Sequence, residues 1–311
     1  MNAIRVEAPG FLTTVQDLGR PGHAAAGVSA SGAADPIALR IGNRLVGNAD
    51  GAAALEMTMV GGSFRFEADG VFALAGADSG AILDDRPVVP WRPVPIRSGA
   101  RLVVSALRGG ARAYLCVRGG LEVPLLLGSA STHLMTGLGG YEGRALRAGD
   151  HVILGTAASR APSYRAVDPS AIPGYRRDEP FRVTEGPQES WFAREERAVL
   201  YETEWRVAEA CDRMGIRLAG TRIQPEAARE LLTEGVPLGA IQIPPGGLPI
   251  VLFVEHQTTG GYPKIANVIA ADLARLGRLR PRDALRFEAI SLAGARTLLA
   301  AQEEALDALF R

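Results

Sequence analysis

Glycine and proline interrupt this chain so often that few stretches are long enough for more than a short strand: 37 glycines and 20 prolines lie among 311 residues. Glycine costs backbone entropy inside a regular element and proline removes a hydrogen-bond donor, so both collect where a chain turns. The sequence therefore predicts a mainly β fold with a few helices, built from many short strands. With 47% hydrophobic residues the chain can bury a sizeable core, and its length suits two domains.

The stretch Val236–Lys264 concentrates the most chemistry. A short apolar run around Ile241-Gln242-Ile243 passes through Pro-Pro-Gly-Gly into the buried-strand pattern Pro249–Val254, which reads as a hairpin. The loop that follows, Glu255–Lys264, carries a carboxylate, an imidazole, an amide, hydroxyls, a phenol and an ammonium beside Gly260 and Gly261. A surface turn needs none of that chemistry, and the glycines let backbone N–H groups face an anion or a carbonyl.

Earlier in the chain, Thr13–Gly22 is a polar, glycine-punctuated loop containing Asp17 and Arg20. Asp35 followed by Pro36 is an N-cap with proline at the first helical position, and predicts a helix over Ile37–Val46 with Asn43 inside it. Short strands follow between Ala54 and Val104, where Glu56 alternates with apolar neighbours and is expected to face solvent. Arg112–Val117 adds a strand, and Ser129–His133 with Leu138–Arg144 forms a second polar, glycine-rich region.

Residues 1–157 make the expected N-terminal domain, 158–179 a linker rich in Ala, Ser, Arg and Pro, and 180–311 a C-terminal domain with a terminal helix at Ser291–Leu309. Within the second domain the pattern predicts strands at Pro180–Val183, Trp205–Val207 and from Arg280, and helices at Ser190–Arg197 and Ile265–Leu276. The two halves share an outline of strands, one helix and a late turn, as an internal duplication would leave.

Several function classes are excluded. Formal net charge is zero, with 34 basic and 34 acidic side chains, so neither a nucleic acid nor a membrane surface is an expected partner. The central apolar run Ile250–Val254 falls far short of the roughly 20 residues that span a bilayer. The N-terminus lacks a signal-peptide pattern, and a soluble cytoplasmic protein is expected. Cys116 and Cys211 read as two isolated buried thiols. GxxxxGK[ST], HExxH, paired cysteine ligands and GxSxG do not occur, and His23, His133, His151 and His256 are scattered, so no metal site follows from spacing. Any chemistry falls to the polar loops acting jointly.

The stretches TTVQDLGRPGH, SGAADPIALRIGNRLVGN, LEMTMVGGSFRF, RAYLCVRGG, DRMGIRLAG, GVPLGAIQIPPGGLPIVLFVEHQTTGGYPKIANVIAADL and RPRDALRF, in that order, resemble the allophanate hydrolase subunit 2 family, also called the Kip antagonist or biotin-dependent carboxyltransferase family. The resemblance implies two cyclophilin-like β-barrel domains. It also implies the third component, or C subunit, of an ATP-dependent 5-oxoprolinase. Such a chain works with a B-type partner as heterodimer or heterotetramer, and with an A-type partner. ATP is the implied cofactor, bound by this chain itself or together with a partner subunit. Alternatives are carboxyl transfer from carboxybiotin carried by a partner to a urea-like amide, and a non-catalytic antagonist binding a kinase-inhibitor protein. A pocket opening a lactam needs cations, a positioned base, and donors near the developing charge. Asp17, Asp35, Glu255 and Lys264 are the catalytic candidates. Arg20, Asn43, Arg213, Gln242, Gln257, Thr258, Gly260, Gly261 and Tyr262 are the substrate-binding ones.

Overall fold

A computed structural model describes residues 2–156, 166–174, 179–226 and 231–311. The chain divides into two compact units, Met1–Arg20 with Ser31–Ile172 and Ala308–Arg311, and Pro21–Ala30 with Pro173–Asp307. Of the expected linker, 158–165 and 175–178 lie outside the described residues. Its described part holds a 3-10 turn at Pro169–Ala171, flanked by buried Val167 and Ile172.

The first unit packs two sheets on one core. One sheet orders His151–Ile153, Ala3–Ala8, Ser63–Phe66, Arg101–Val103, Ile82–Leu83 and Arg86–Pro87; the other orders Leu12–Gln16, Ala54–Thr58, Arg108–Val117, Gly70–Asp78 and Val94–Ile96. Period-two alternation sends Ile4, Val6, Phe64 and Phe66 from the first sheet against Val15, Leu55, Met57, Leu74 and Leu115 from the second. Phe66 stacks on Phe72 at 5.5 Å between ring centroids.

Glu56 corrects the sequence expectation. It pairs in register with Thr14 on one side and Tyr114 on the other, so it does point away from Leu55 and Met57, yet it is 1% exposed. The helix Pro36–Leu45 covers that face. Its cap forms as predicted, Asp35 accepting from the Ala38 amide at 3.0 Å. Gly42 permits the close approach, because a Cβ there would stand 2.6 Å from Cys116 Sγ. Cys116 is buried as expected, and burial pushes its thiol far above the ordinary range; Cys211 is half-buried.

The second unit is built on one eight-stranded sheet, ordered Ala284–Leu285, Trp205–Val207, Gly215–Ala219, Ile250–Leu252, Ala240–Gln242, Lys264–Val268, Phe181–Glu185 and Phe287–Ala289. The strands at its two ends are separated in sequence by Arg286 alone, so the sheet curls until its edges nearly meet. The mainly β, barrel-type expectation is borne out. The predicted hairpin is present, with Ile241 opposite Val251 and Gln242 opposite Ile250, and so is the terminal helix, at Leu292–Ala308.

The predicted helix over Ile265–Leu276 is corrected at its start. Lys264–Val268 is a strand between Ala240–Gln242 and Phe181–Glu185, and only Leu273–Leu276 is α-helical. The reason is that Ile265, Ala266, Val268 and Ile269 satisfy both periodicities, and two waiting edges decide the matter.

A polar cluster around the chain's only lysine

The candidate residues fall into two sets. Asp17, Arg20, Asp35 and Asn43 lie in the first unit; Arg213, Gln242, Glu255, Gln257, Thr258, Gly260, Gly261, Tyr262 and Lys264 lie in the second.

In the first set, Asp17 sits just past the strand Leu12–Gln16. Its carboxylate accepts from Gly19 N at 2.7 Å, Ala130 N at 2.7 Å, Ser129 Oγ at 2.6 Å and Ser131 Oγ at 2.5 Å. Both oxygens are thereby filled, and the Thr13–Gly22 loop is stitched to Ser129–His133. Arg20, 1% exposed, donates Nη2 to the Ser131 carbonyl under Gly139, where a Cβ would stand 2.6 Å from that nitrogen. Asp35 caps its helix and donates its amide to Tyr114 Oη at 2.7 Å. Tyr114 in turn donates to Glu56 at 2.7 Å, while Arg112 lies 3.5 Å from the other Glu56 oxygen. Burial, then Glu56 and Asp35, hold the Tyr114 phenol well above its ordinary value. Asn43 gives its amide hydrogens to the carbonyls of Asp50 and Ala52, fixing the chain beyond the helix.

In the second set, Arg213 and Glu255 are both 4% exposed and form an ion pair. The Glu255 amide also donates to the Arg213 carbonyl at 2.8 Å, so the two turns hold each other.

Lys264 and Gln242 face the same side of the barrel sheet, because they are direct cross-strand partners in register. Both are buried, at 2% and 1% exposure. Lys264 Nζ pairs with Glu234, and no other polar atom of the described residues accepts from it. Gln242 Nε2 is buried without any acceptor among the described residues. The exposed Gln257 reaches in to Gln242 Oε1 at 3.5 Å, and Gly260 closes over the amide, where a Cβ would stand 2.8 Å from Gln242 Nε2. A side chain there would have to move that amide. Thr258 takes part through its carbonyl, which accepts from Val236 N at 3.1 Å, whereas Gly261 and Tyr262 are exposed at the loop tip.

Sequence reasoning missed two members. Glu234 lies on a two-stranded ribbon, Glu234–Gly235 against Thr259–Gly260, and Gln188 donates to its carboxylate at 2.8 Å. Gln188 also accepts from the Lys264 amide at 3.1 Å. The Lys264 ammonium, with Gln188, holds the Glu234 carboxyl below the ordinary carboxylate value. One signal was available in the composition: of 34 Lys and Arg residues, Lys264 is the only lysine. A chain that uses arginine at every other basic position keeps a compact, rotatable ammonium here, where a planar guanidinium would not serve.

The cluster thus offers an ammonium with donor capacity left over and an amide donor wholly unused, both desolvated. Such a pair can bind a carboxylate together with a neighbouring carbonyl oxygen, and stabilise charge developing on that oxygen.

The family model described as carboxyltransferase domain, subdomain A and B, matches residues 26–289. The chain is 40% identical over 290 residues to the C subunit of 5-oxoprolinase from Escherichia coli (strain K12), covering 93% of this chain and 92% of that one. The corresponding 5-oxoprolinase chain of Haemophilus influenzae is 37% identical over 298 residues, covering 96% and 94%. Among solved structures, the K. lactis urea amidolyase superposes with a TM-score of 0.91 at 32% identity. That match takes in 99% of this chain but only 20% of the amidolyase.

Proposed function

The chain belongs to the carboxyltransferase-domain family, that of allophanate hydrolase subunit 2, and on that premise we propose that it is the C subunit of an ATP-dependent 5-oxoprolinase, hydrolysing 5-oxo-L-proline to L-glutamate together with the A and B subunits. The observation that carries the reading is the end-to-end likeness to two bacterial C subunits, joined to a donor pair suited to this substrate. Lys264 pairs with the substrate carboxylate, and Gln242 Nε2 donates to the lactam oxygen. An amide resists hydrolysis because charge must build on that oxygen, and a prepositioned donor in a dry site lowers the cost.

ATP would supply activation of the lactam oxygen. The Lys264 cluster does not fit the nucleotide: among its described residues Lys264 is the single cation, and even with Glu234 displaced one ammonium would face the several charges of a triphosphate alone. Nucleotide binding is therefore assigned to the partner subunits.

The test is reconstitution. Purified A, B and C subunits with ATP and 5-oxoproline should release glutamate above the A-plus-B background, and no increment on adding this chain would overturn the proposal. The TM-score of 0.91 with the urea amidolyase keeps a second reading in play, carboxyl transfer from carboxybiotin to a urea-like amide. Carboxybiotin-dependent carboxylation in the same assembly, without glutamate release, would favour it.

A further inference from the structure

Lys264 is sealed in this structure. It is 2% exposed, and its ammonium pairs with the Glu234 carboxylate, whose side chain is 41% exposed. Among the described residues, Glu234 belongs to a two-residue strand paired with Thr259–Gly260 outside the barrel sheet, and its part-exposed side chain makes polar contacts to Lys264 and Gln188. Beside this pair, Gln242 Nε2 is buried and unsatisfied. A buried amide donor without an acceptor is costly unless something fills the place. Glu234 leaves it empty, since its bonded oxygen already accepts from Lys264 and Gln188.

We propose that Glu234 occupies, in the unliganded chain, the seat on Lys264 that a substrate carboxylate takes, so that binding exchanges one carboxylate for another. The incoming ligand carries what Glu234 lacks, a second acceptor placed to reach Gln242 Nε2. Glu234 is then a specificity-determining residue. A simple carboxylate gains little by displacing it, whereas a carboxylate with an adjacent carbonyl both replaces the ion pair and satisfies the orphan amide. Glu234 can leave at low cost, because much of its side chain is already in water and its ribbon need not open. The inference deepens the 5-oxoprolinase reading and rests on it only for the identity of the ligand.

The single lysine makes the exchange measurable on the full-length chain. Reductive methylation with formaldehyde and an amine–borane modifies Lys264 and the N-terminus alone among primary amines, and peptide mass spectrometry separates the two. Protection of Lys264 is followed against 5-oxoproline, acetate, the neutral lactam 2-pyrrolidinone and chloride at constant ionic strength, in the wild type and in Glu234→Gln. Removing the internal competitor should lower the half-protecting concentration of 5-oxoproline about tenfold or more. Acetate should follow with weaker protection, and 2-pyrrolidinone and chloride should give none. Adding Gln242→Leu to Glu234→Gln should bring 5-oxoproline down to the level of acetate. Glu234→Asp, which keeps the charge on a shorter arm, supplies the same ordering if Glu234→Gln does not fold. Equal protection in wild type and variant, or no protection by any carboxylate, overturns the exchange even if reconstituted turnover is observed. Protection by acetate but not by 5-oxoproline keeps the exchange and removes the 5-oxoproline reading instead.

Discussion

The Asp17 and Lys264 clusters are both buried, glycine-lined and rich in charge, yet they use their hydrogen-bonding capacity in opposite ways. Asp17 spends both carboxylate oxygens on four donors from its own loops. Beside it Gln16 Oε1 is buried with no donor among the described residues, and as an acceptor it offers an anion nothing. Around Lys264 the orphan is a donor, Gln242 Nε2, and the ammonium has one carboxylate for three hydrogens. A saturated polar cluster holds loops together; one with donors to spare can also take a ligand.

The contrast can be broken first with Lys264→Met. Removing the ammonium should cut glutamate release by the assembled enzyme at least about a hundredfold. Stability should change by less than about 1 kcal/mol in urea unfolding, because the released Glu234 carboxylate is already partly hydrated. Asp17→Asn should do the reverse. With its donors facing a neutral group, the first unit should lose about 3 kcal/mol by the same measurement. A loss of turnover beyond the folded fraction would return Asp17 to the reacting groups.

A smaller effect is expected from Gly260→Ala. Its methyl, 2.8 Å from Gln242 Nε2, would push the amide off its line and raise KM about tenfold with stability little altered. Smallest is a pH effect. The Glu234 carboxyl is held below its ordinary value of 4.5, chiefly by Lys264, so the pair's contribution is complete above that value and fades as pH falls through the depressed one. In a chain carrying 13C-labelled lysine, the single side-chain resonance should be flat from neutral pH down to about the ordinary glutamate value and shift only below it. A midpoint above 4.5 would contradict the pairing.

Local signals in the sequence were reliable where the interactions are local. The Asp35-Pro36 cap, the hairpin through Pro-Pro-Gly-Gly and the Glu255–Lys264 loop all appear where their residues place them. What escaped was set by distance along the chain. Glu56 alternates as an outward residue, and only the packing of a helix that precedes it turns outward into buried. Glu234 and Gln188 join the site across 30 and 76 residues, through a side-chain ion pair and an amide that no periodicity encodes. Lys264 stood in the sequence as one cation beside Arg20 and Arg213. Its solitude among the basic residues was countable from the start, but its meaning depended on finding it desolvated.

The Arg286 junction bears on how the protein is made. A ribosome delivers Phe181–Glu185 long before Phe287–Ala289, the neighbour lying alongside it, and the same late hexapeptide also carries the partner of Trp205–Val207. During synthesis the second unit must wait, its first strand unpaired on one flank, until Phe287–Ala289 has been made, so a message cut short of it would yield an open and sticky sheet rather than a smaller working one.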